Sequence, residues 1–212
     1  MCKTINFNEY KLWKISQREN ERKMFENITN EIRNRRQEGH IYISREMEEI
    51  SRKFLSKLNE KEQYEGPIPI VKIAKKLGFN VYQQDMEKEL SGFIAIDEEI
   101  KQSMGNDKII VVNVNDEIGH QRFVIAHELA HYLFDYEPKD NVVEYYNTYY
   151  KDTHDSESEV RANRFAAELL MPRDRFVDEV LSKGPYSLDL IKDLQNSFQV
   201  QDKAIIKRLH EV

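Results

Sequence analysis

Residues 122–131 read Arg-Phe-Val-Ile-Ala-His-Glu-Leu-Ala-His, and this stretch is the most informative part of the sequence. Its histidines, His127 and His131, are four residues apart, so on a helix they lie one turn above each other on the same face. Both imidazoles are then able to bind one Zn²⁺ at about 2.0–2.1 Å. Glu128 stands one step round the helix, where it reaches a water beside the ion as a general base. The same motif also occurs on half-buried helices with a solvated glutamate. The surrounding sequence is needed to distinguish a zinc site from such a helix.

A catalytic zinc needs a third protein ligand. The extended motif with a third histidine is absent, because Phe134 and Glu137 stand where its glycine and histidine would be. Downstream, the segment from Ser156 to Pro172 reads as a helix that the proline ends. One face of this helix carries Glu159, several small alanines and the amide of Asn163. We therefore predict Glu159 as the third ligand, and we expect Asn163 to hydrogen-bond a ligand or to tie the two helices together.

The other candidates near the motif are weaker. Glu157 and Glu168 point about 200° and about 180° away from Glu159 on the same helix, so they are poorer metal ligands. Peptide hydrolysis develops an oxyanion, which needs a hydrogen-bond donor beside the metal. His154 lies between the two predicted site helices and is either that donor or a surface histidine. A tyrosine cluster in the same segment is either a substrate-binding loop or simple loop packing: Tyr145, Tyr146, Tyr149 and Tyr150.

The composition limits the class and the compartment. The 212 residues suffice for one ordinary domain, or for a compact core with an extra helical segment. The net charge of −6 excludes a globally basic nucleic-acid binder, which leaves only a local basic patch. A single cysteine, Cys2, excludes a disulfide framework and a zinc site built from several cysteines. No apolar run approaches the roughly 18 residues of a membrane span, and the N-terminus lacks a secretory signal, so we expect a cytoplasmic protein.

Composition and periodicity divide the chain into three parts. Residues 1–65 are polar and predict a helical extension with helices at about 9–37 and after Ser44. Residues 66–186 form the core that carries the histidine motif. Residues 187–212 predict two short helices whose spacing resembles a helix-turn-helix unit. We expect this pair to pack on the core rather than to read DNA, because the net charge is negative and its second helix offers few base-reading side chains.

Between the extension and the histidine motif, the pattern predicts a short helix and a small sheet. A helix at 70–77 precedes Gly78, which suits a left-handed position after a helix. Strands are predicted at 79–82, 92–96 and 108–113. The last of them is a continuous apolar run, so we expect it to be central in its sheet. The segment 97–107 reads as a hairpin loop, and helices dominate afterwards, which gives an α+β fold class.

In combination, these motifs resemble the ImmA/IrrE family of zinc metallopeptidases over about residues 66–212. The similarity rests on Ile73-Ala74-Lys75-Lys76-Leu77-Gly78, Gly92, Ile94, Val111 to Asn113, the motif at 122–131, Glu159, Ala162-Asn163, and the run from Phe165 to Pro172. The chain departs from the family at Ala130, where glycine is usual, and in the extension 1–65, which the minimal family domain lacks. The resemblance implies a small sheet packed against a mainly helical, zincin-like core. It also implies one zinc ion bound by His127, His131 and Glu159, with Glu128 as the catalytic base.

The resemblance further implies a cytoplasmic zinc endopeptidase that cleaves a helix-turn-helix transcriptional repressor of a mobile element, prophage or stress regulon, and so relieves repression. The alternative is a binding regulator with a structural metal, which docks on a repressor or on DNA through residues 1–62 or 187–212. Histidine and carboxylate ligands also accept Mn²⁺ or Fe²⁺, so the ion stays open. The extension either packs on the core as a solvated helix pair, serves as a partner-binding arm, or gates the site by covering its cleft.

Overall fold

The structure, a computed structural model, describes residues 7–37, 44–58, 66–136, 144–150 and 156–211. Cys2, Glu137 and His154 lie outside these ranges. Among the helices of the described ranges, none combines the length and the apolar character that crossing a membrane requires.

The described residues form a mainly helical fold with one small sheet, which confirms the predicted α+β class. The helices are α1 Phe7–Gln37, α2 Ser44–Leu58, α3 Ile70–Lys76, α4 Glu98–Met104, α5 Ile118–Phe134, α6 Glu157–Leu170, α7 Arg173–Lys183, α8 Leu188–Phe198 and α9 Asp202–Glu211. The strands are β1 Asn80–Gln84, β2 Leu90–Asp97, β3 Lys108–Asn113 and β4 Glu144–Tyr150. The sequence pattern did not predict α4, β4 or α7.

Within the described ranges, the sheet has four strands in the order β1-β3-β2-β4. Strand β1 runs parallel to β3, whereas β2 runs antiparallel to both of its neighbours, β3 and β4. The central position predicted for 108–113 is confirmed, because β3 lies between two other strands and Ile109 to Val112 are buried. A strand that is covered on both faces needs this continuous apolar run.

The connection predicted as a hairpin loop at 97–107 does join two antiparallel neighbours, β2 and β3, but it contains helix α4, so the prediction of a simple loop is wrong. The carboxylate of Asp97 caps its first turn by accepting a hydrogen bond from the Glu99 amide at 2.7 Å. Gly105 ends the helix in the left-handed region, with φ at 74°. Both cap signals are visible in the sequence, but the short helix between them buries no residue and so shows no apolar stripe.

The tyrosine-rich segment that the sequence suggested as a loop is strand β4. It pairs with β2 in the register Ile94↔Asn147 and Ile96↔Tyr145. Tyrosine and threonine favour strands, but the segment lacks the apolar–polar alternation that identifies a half-buried strand. In chain order, β4 stands between the two helices that carry the predicted ligands, α5 and α6.

Helix α5 packs directly on the sheet because β2 carries a glycine at the contact. A Cβ atom at Gly92 would lie 2.7 Å from Val124 Cγ1 and 2.6 Å from the Val111 carbonyl oxygen. The helix is buried from Val124 to Phe134. It also packs on α6, where the rings of Phe134 and Phe165 meet edge to face at 5.4 Å. The two helices that carry the predicted ligands are therefore held side by side in the core.

The described helices of the extension pack on α5 and α6. In α1, Arg33 donates to the Tyr132 carbonyl at 3.1 Å and its guanidinium lies 4.8 Å from the centre of the Tyr132 ring. In α2, the buried Phe54 meets Phe165 edge to face at 6.1 Å. Phe165 lies about 120° round α6 from Glu159. At this contact, α2 therefore packs on a side of α6 away from the ligand-bearing face.

The C-terminal pair, α8 and α9, also packs on the core, as expected. Arg208 of α9 is buried and binds both carboxylate oxygens of Glu168 on α6. One continuous apolar core includes Ile32 of the extension, Leu129 of the middle part and Leu194 of the C-terminal part. The three predicted parts thus share a core, and their division into domains at 65 and 186 stays a prediction.

Candidate metal centre

The two motif histidines meet at their ring edges inside the protein. His127 and His131 are 0% and 3% exposed, and their Nε2 atoms are 2.9 Å apart. One turn of α5 separates the two residues, and the burial of this helix removes both rings from solvent. Both imidazoles therefore present the same nitrogen to one point.

Glu159 reaches this point from α6. One carboxylate oxygen lies 3.2 Å from His127 Nε2 and the other lies 3.1 Å from His131 Nε2. Its position follows from the cap of α6, since Ser156 accepts a hydrogen bond from the Glu159 amide at 3.2 Å and starts the helix just before the ligand. The buried alanines Ala162 and Ala166 let this helix approach α5 closely. Glu159 thus lies beside both histidines, on the face of α6 that the spacing predicted.

The outer nitrogens of the two rings have separate oxygen partners. The Nδ1 atom of His127 lies 3.0 Å from Asn163 Oδ1, and the Nδ1 atom of His131 lies 2.7 Å from Asp135 Oδ2. An ionised carboxylate only accepts hydrogen bonds, so the His131 proton belongs on Nδ1. The same tautomer at His127 lets its Nδ1 donate to the Asn163 oxygen. Both Nε2 atoms then turn lone pairs, and no proton, toward the Glu159 carboxylate.

Two lone pairs and a carboxylate at this separation repel one another unless a cation lies between them. The ligand atoms of His127, His131 and Glu159 all lie within 4.8 Å of one another. Around tetrahedral Zn²⁺ with ligand bonds of about 2.0–2.2 Å, neighbouring ligand atoms stand about 3.3–3.5 Å apart. The distances of 2.9–3.2 Å here are slightly shorter, so a small outward movement of the side chains accommodates such an ion. The residues therefore fit a divalent metal with two nitrogen ligands and one carboxylate.

Electrostatics at the centre favour the neutral form of one ligand, His127, and the ionised form of Asp135. Burial lowers the pKa of His127, and this effect outweighs the opposing hydrogen bond to Glu159, so the ring is held neutral. For Asp135, burial raises the pKa, but hydrogen bonds from His131 and Ser158 and the charge of Arg161 together lower it below its usual value. Asp135 is therefore ionised, as an acceptor for His131 requires.

Glu128, the predicted general base, is fully buried next to His127 on α5. Glu128 thus directly follows one of the two histidines at the centre, and bulk water does not reach its carboxylate. This placement is compatible with proton transfer at the site, and its role as base stays a prediction.

Two other candidates from the sequence, Glu157 and Glu168, do not join the centre. Glu157 is exposed, and Glu168 forms an ion pair with Arg208 at 2.6 Å. His154 lies outside the described residues, so its role as oxyanion donor stays a prediction. Near the start of α5, His120 places its Nε2 atom 2.9 Å from Ser91 Oγ.

Sequence reasoning missed the partners of His131. Asp135 binds its Nδ1, and Ser158 and Arg161 from α6 donate to Asp135. The spacing of Asp135, four residues after His131, was a usable signal, because such a pair shares one helix face.

The family model for the IrrE N-terminal-like domain, Peptidase M78, matches residues 74–210, which is more than half of the chain. The chain belongs to this family. Compared with individually curated protein sequences, it has no significant match. The M78 match begins within α3, so it covers the sheet, both ligand-bearing helices and the C-terminal pair, and it leaves out α1 and α2.

Membership in the M78 family points to a metallopeptidase, and the His-His-Glu group is a site that could bind its metal ion. The resemblance noted from the sequence motifs is thereby confirmed at the level of the family.

Proposed function

We propose that the protein is a zinc-dependent endopeptidase. His127, His131 and Glu159 hold the ion, and Glu128 acts as the general base. The observation that carries this proposal is the convergence of two buried Nε2 atoms and one carboxylate from separate helices. Two histidines with one carboxylate are a frequent ligand set of catalytic zinc, and three protein ligands leave a position for solvent or substrate.

The bound ion would supply Lewis acidity, polarising the scissile carbonyl and making water more acidic. The chain's own residues do the rest. Glu128 accepts a proton from the attacking water at its carboxylate and passes it to the departing amine, which is why a buried, unsolvated base beside the ligands is useful. Asn163 and Asp135 hold the two imidazoles with their Nε2 atoms directed inward.

For the substrate, we propose a helix-turn-helix transcriptional repressor in the cytoplasm, whose cleavage relieves repression. Support comes from the resemblance of the motifs at 122–131 and 156–172 to the ImmA/IrrE family. The alternative of direct DNA binding through residues 187–212 is weakened by Arg208. This basic side chain is 2% exposed and is neutralised by Glu168, so it is not available to a phosphate backbone.

The decisive experiment incubates the purified protein with candidate helix-turn-helix repressors, beginning with any that is encoded beside its gene. Wild type is expected to release fragments, to lose this activity with a chelator and to regain it with Zn²⁺. Glu128→Gln should keep one bound ion per chain by elemental analysis and lose at least about 100-fold in cleavage rate. Glu157→Gln, an exposed change on α6, is the matched control and should cleave like wild type. Cleavage that survives Glu128→Gln, or a stoichiometric complex without fragments, contradicts the proposal.

A further inference from the structure

Asp135 occupies an unusual position between the two ligand-bearing helices. It is the residue that follows the last turn of α5, where its amide donates to the His131 carbonyl at 2.8 Å. Its carboxylate receives donors from both helices. His131 Nδ1 and Ser158 Oγ bind one oxygen at 2.7 and 2.6 Å, and Arg161 binds the other. One carboxylate thus joins the ring of a ligand to the helix that carries the next ligand.

We propose that Asp135 is a positioning residue for the metal centre, an inference that rests on the proposed metal-binding function. Asp135 is not itself a ligand, because it lies against Nδ1 of His131, whereas Nε2 of the same ring faces His127 and Glu159. By accepting the Nδ1 proton it fixes the tautomer and the rotation of this ring, so that the Nε2 lone pair is directed at the ion.

Asp135 also contacts α6. Ser158 and Arg161 flank Glu159 in sequence, and both donate to Asp135. The first turn of α6 is therefore held against the end of α5 at the level of the ligand carboxylate. Because all three donors converge on one acceptor, loss of Asp135 leaves His131 Nδ1 only the longer contact with Ser158 Oγ at 3.4 Å, and it removes two hydrogen bonds of the turn that carries Glu159. Both effects let the ligand atoms move apart. A tetrahedral ion needs these atoms within about 3.5 Å of one another.

An ion pair on α6 that is more deeply buried than Asp135 and Arg161 provides the control. Glu168 binds Arg208 through both oxygens at 2.6 Å, far along the helix from Glu159 and without contact to a histidine. Glu168→Gln weakens the packing of the same helix but leaves the tautomer of His131 untouched. It therefore separates a general loss of stability from a loss of ligand positioning.

The test measures ion binding by the full-length protein, independently of peptidase activity. Zn²⁺ affinity is obtained by competition with a chromophoric chelator, the visible spectrum of bound Co²⁺ reports the coordination geometry, and the melting temperature of the metal-free protein reports stability. Asp135→Ala should weaken Zn²⁺ binding about 10–100-fold and alter the Co²⁺ bands. Asp135→Asn, which retains an oxygen acceptor for Nδ1, should recover part of the affinity. Arg161→Met should show a smaller loss, because the bond from His131 to Asp135 remains.

Glu168→Gln should lower the melting temperature at least as much as Asp135→Ala while leaving Zn²⁺ affinity within about threefold of wild type. Wild-type affinity and an unchanged Co²⁺ spectrum in Asp135→Ala overturn the inference and leave the proposed function standing. A loss of affinity that follows melting temperature equally in both variants also overturns it. If Asp135→Ala does not fold, the affinities of Asp135→Asn and Arg161→Met decide by the same criteria. A wild-type protein that binds no ion removes the proposed function itself.

Discussion

Arg208 of α9 and Glu168 of α6 form a buried, bidentate ion pair with both nitrogen–oxygen distances at 2.6 Å. The guanidinium also donates to the Met171 carbonyl at 3.1 Å, at the end of α6. Planar guanidinium and carboxylate groups match each other in this geometry, and the side chains are only 2% and 13% exposed. The C-terminal helix is thus fastened to the end of α6 that lies far from Glu159.

Replacement of Arg208 by methionine should destabilise the protein strongly. The change leaves the Glu168 carboxylate buried without its partner, which typically costs about 3–5 kcal/mol in the free energy of unfolding. Chemical denaturation of the metal-free protein measures this cost. The double variant Arg208→Met with Glu168→Met is the control and should recover most of the loss, since well-packed apolar pairs substitute for buried ions. A single variant as stable as wild type would show that α9 does not dock in this way.

Substitution of Gly92 by alanine should push α5 away from the sheet. The added methyl would lie 2.6 Å from a backbone oxygen of β3 and 2.7 Å from Val124, and the backbone oxygen has no room to move. Overpacking of this kind costs about 1–3 kcal/mol. Gly66→Ala is the matched control, because nothing lies within 4 Å of its added Cβ, and its stability should stay within about 0.5 kcal/mol of wild type. Thermal unfolding of both variants provides the comparison, and equal melting temperatures would contradict the close contact.

The periodic parts of the fold were predictable because packing and periodicity agree there. The amphipathic face of α2 places Met47 and Phe54 in the core, and the continuous apolar run of β3 lies inside the sheet. The elements that were missed lack such a stripe. Helix α4 buries none of its residues, and α7 buries only Phe176. Their ends are set by caps and by Pro172, which identify a boundary but not what lies between.

The ligand group was predictable for a different reason. Helical spacing fixes His127 relative to His131, and the alanine-rich face of α6 indicated a close approach to another helix at Glu159. The hydrogen bonds that orient the rings were harder to foresee, since Ser158 and Arg161 meet Asp135 only after two separate helices pack together. Spacing along one chain segment identifies neighbours on that helix, whereas contacts between helices depend on their relative position.

Loosening the extension should cost stability without raising cleavage. Phe54 is buried against Phe165 of α6, so Phe54→Ala should lower the free energy of unfolding by about 3–5 kcal/mol. A lid over the cleft would predict faster cleavage when it is loosened, but Phe54 of α2 meets α6 at Phe165, on a side away from Glu159. The comparison is the repressor-cleavage rate per folded, metal-loaded molecule, with the exposed change Ser56→Ala as control. A rate increase in Phe54→Ala alone would restore the gating role.

Acid should weaken the junction between α7 and α8 through Glu179. Burial raises the pKa of this carboxyl, but hydrogen bonds from Ser197 and Arg175 and the charges of Arg175 and Lys183 outweigh it, so the pKa in the folded protein lies below its ordinary value. A lowered folded-state pKa contributes stability that is present above the unfolded-state pKa of about 4.3 and is lost as the pH falls through the folded-state value.

Glu179→Gln should therefore be less stable than wild type by about 0.5–1 kcal/mol at pH 7, and the difference should shrink as the pH drops below about 4. Urea unfolding of the metal-free proteins at a series of pH values measures this stability difference. The protonation of other carboxylates affects both proteins alike, so it cancels in the comparison. Glu26→Gln is the control, since Glu26 pairs with Arg22 on the surface at 56% and 69% exposure and contributes little at any pH. A stability difference that is constant with pH, or that grows in acid, contradicts the assigned direction, because only an ionised Glu179 accepts from Arg175 at 3.0 Å with a full charge.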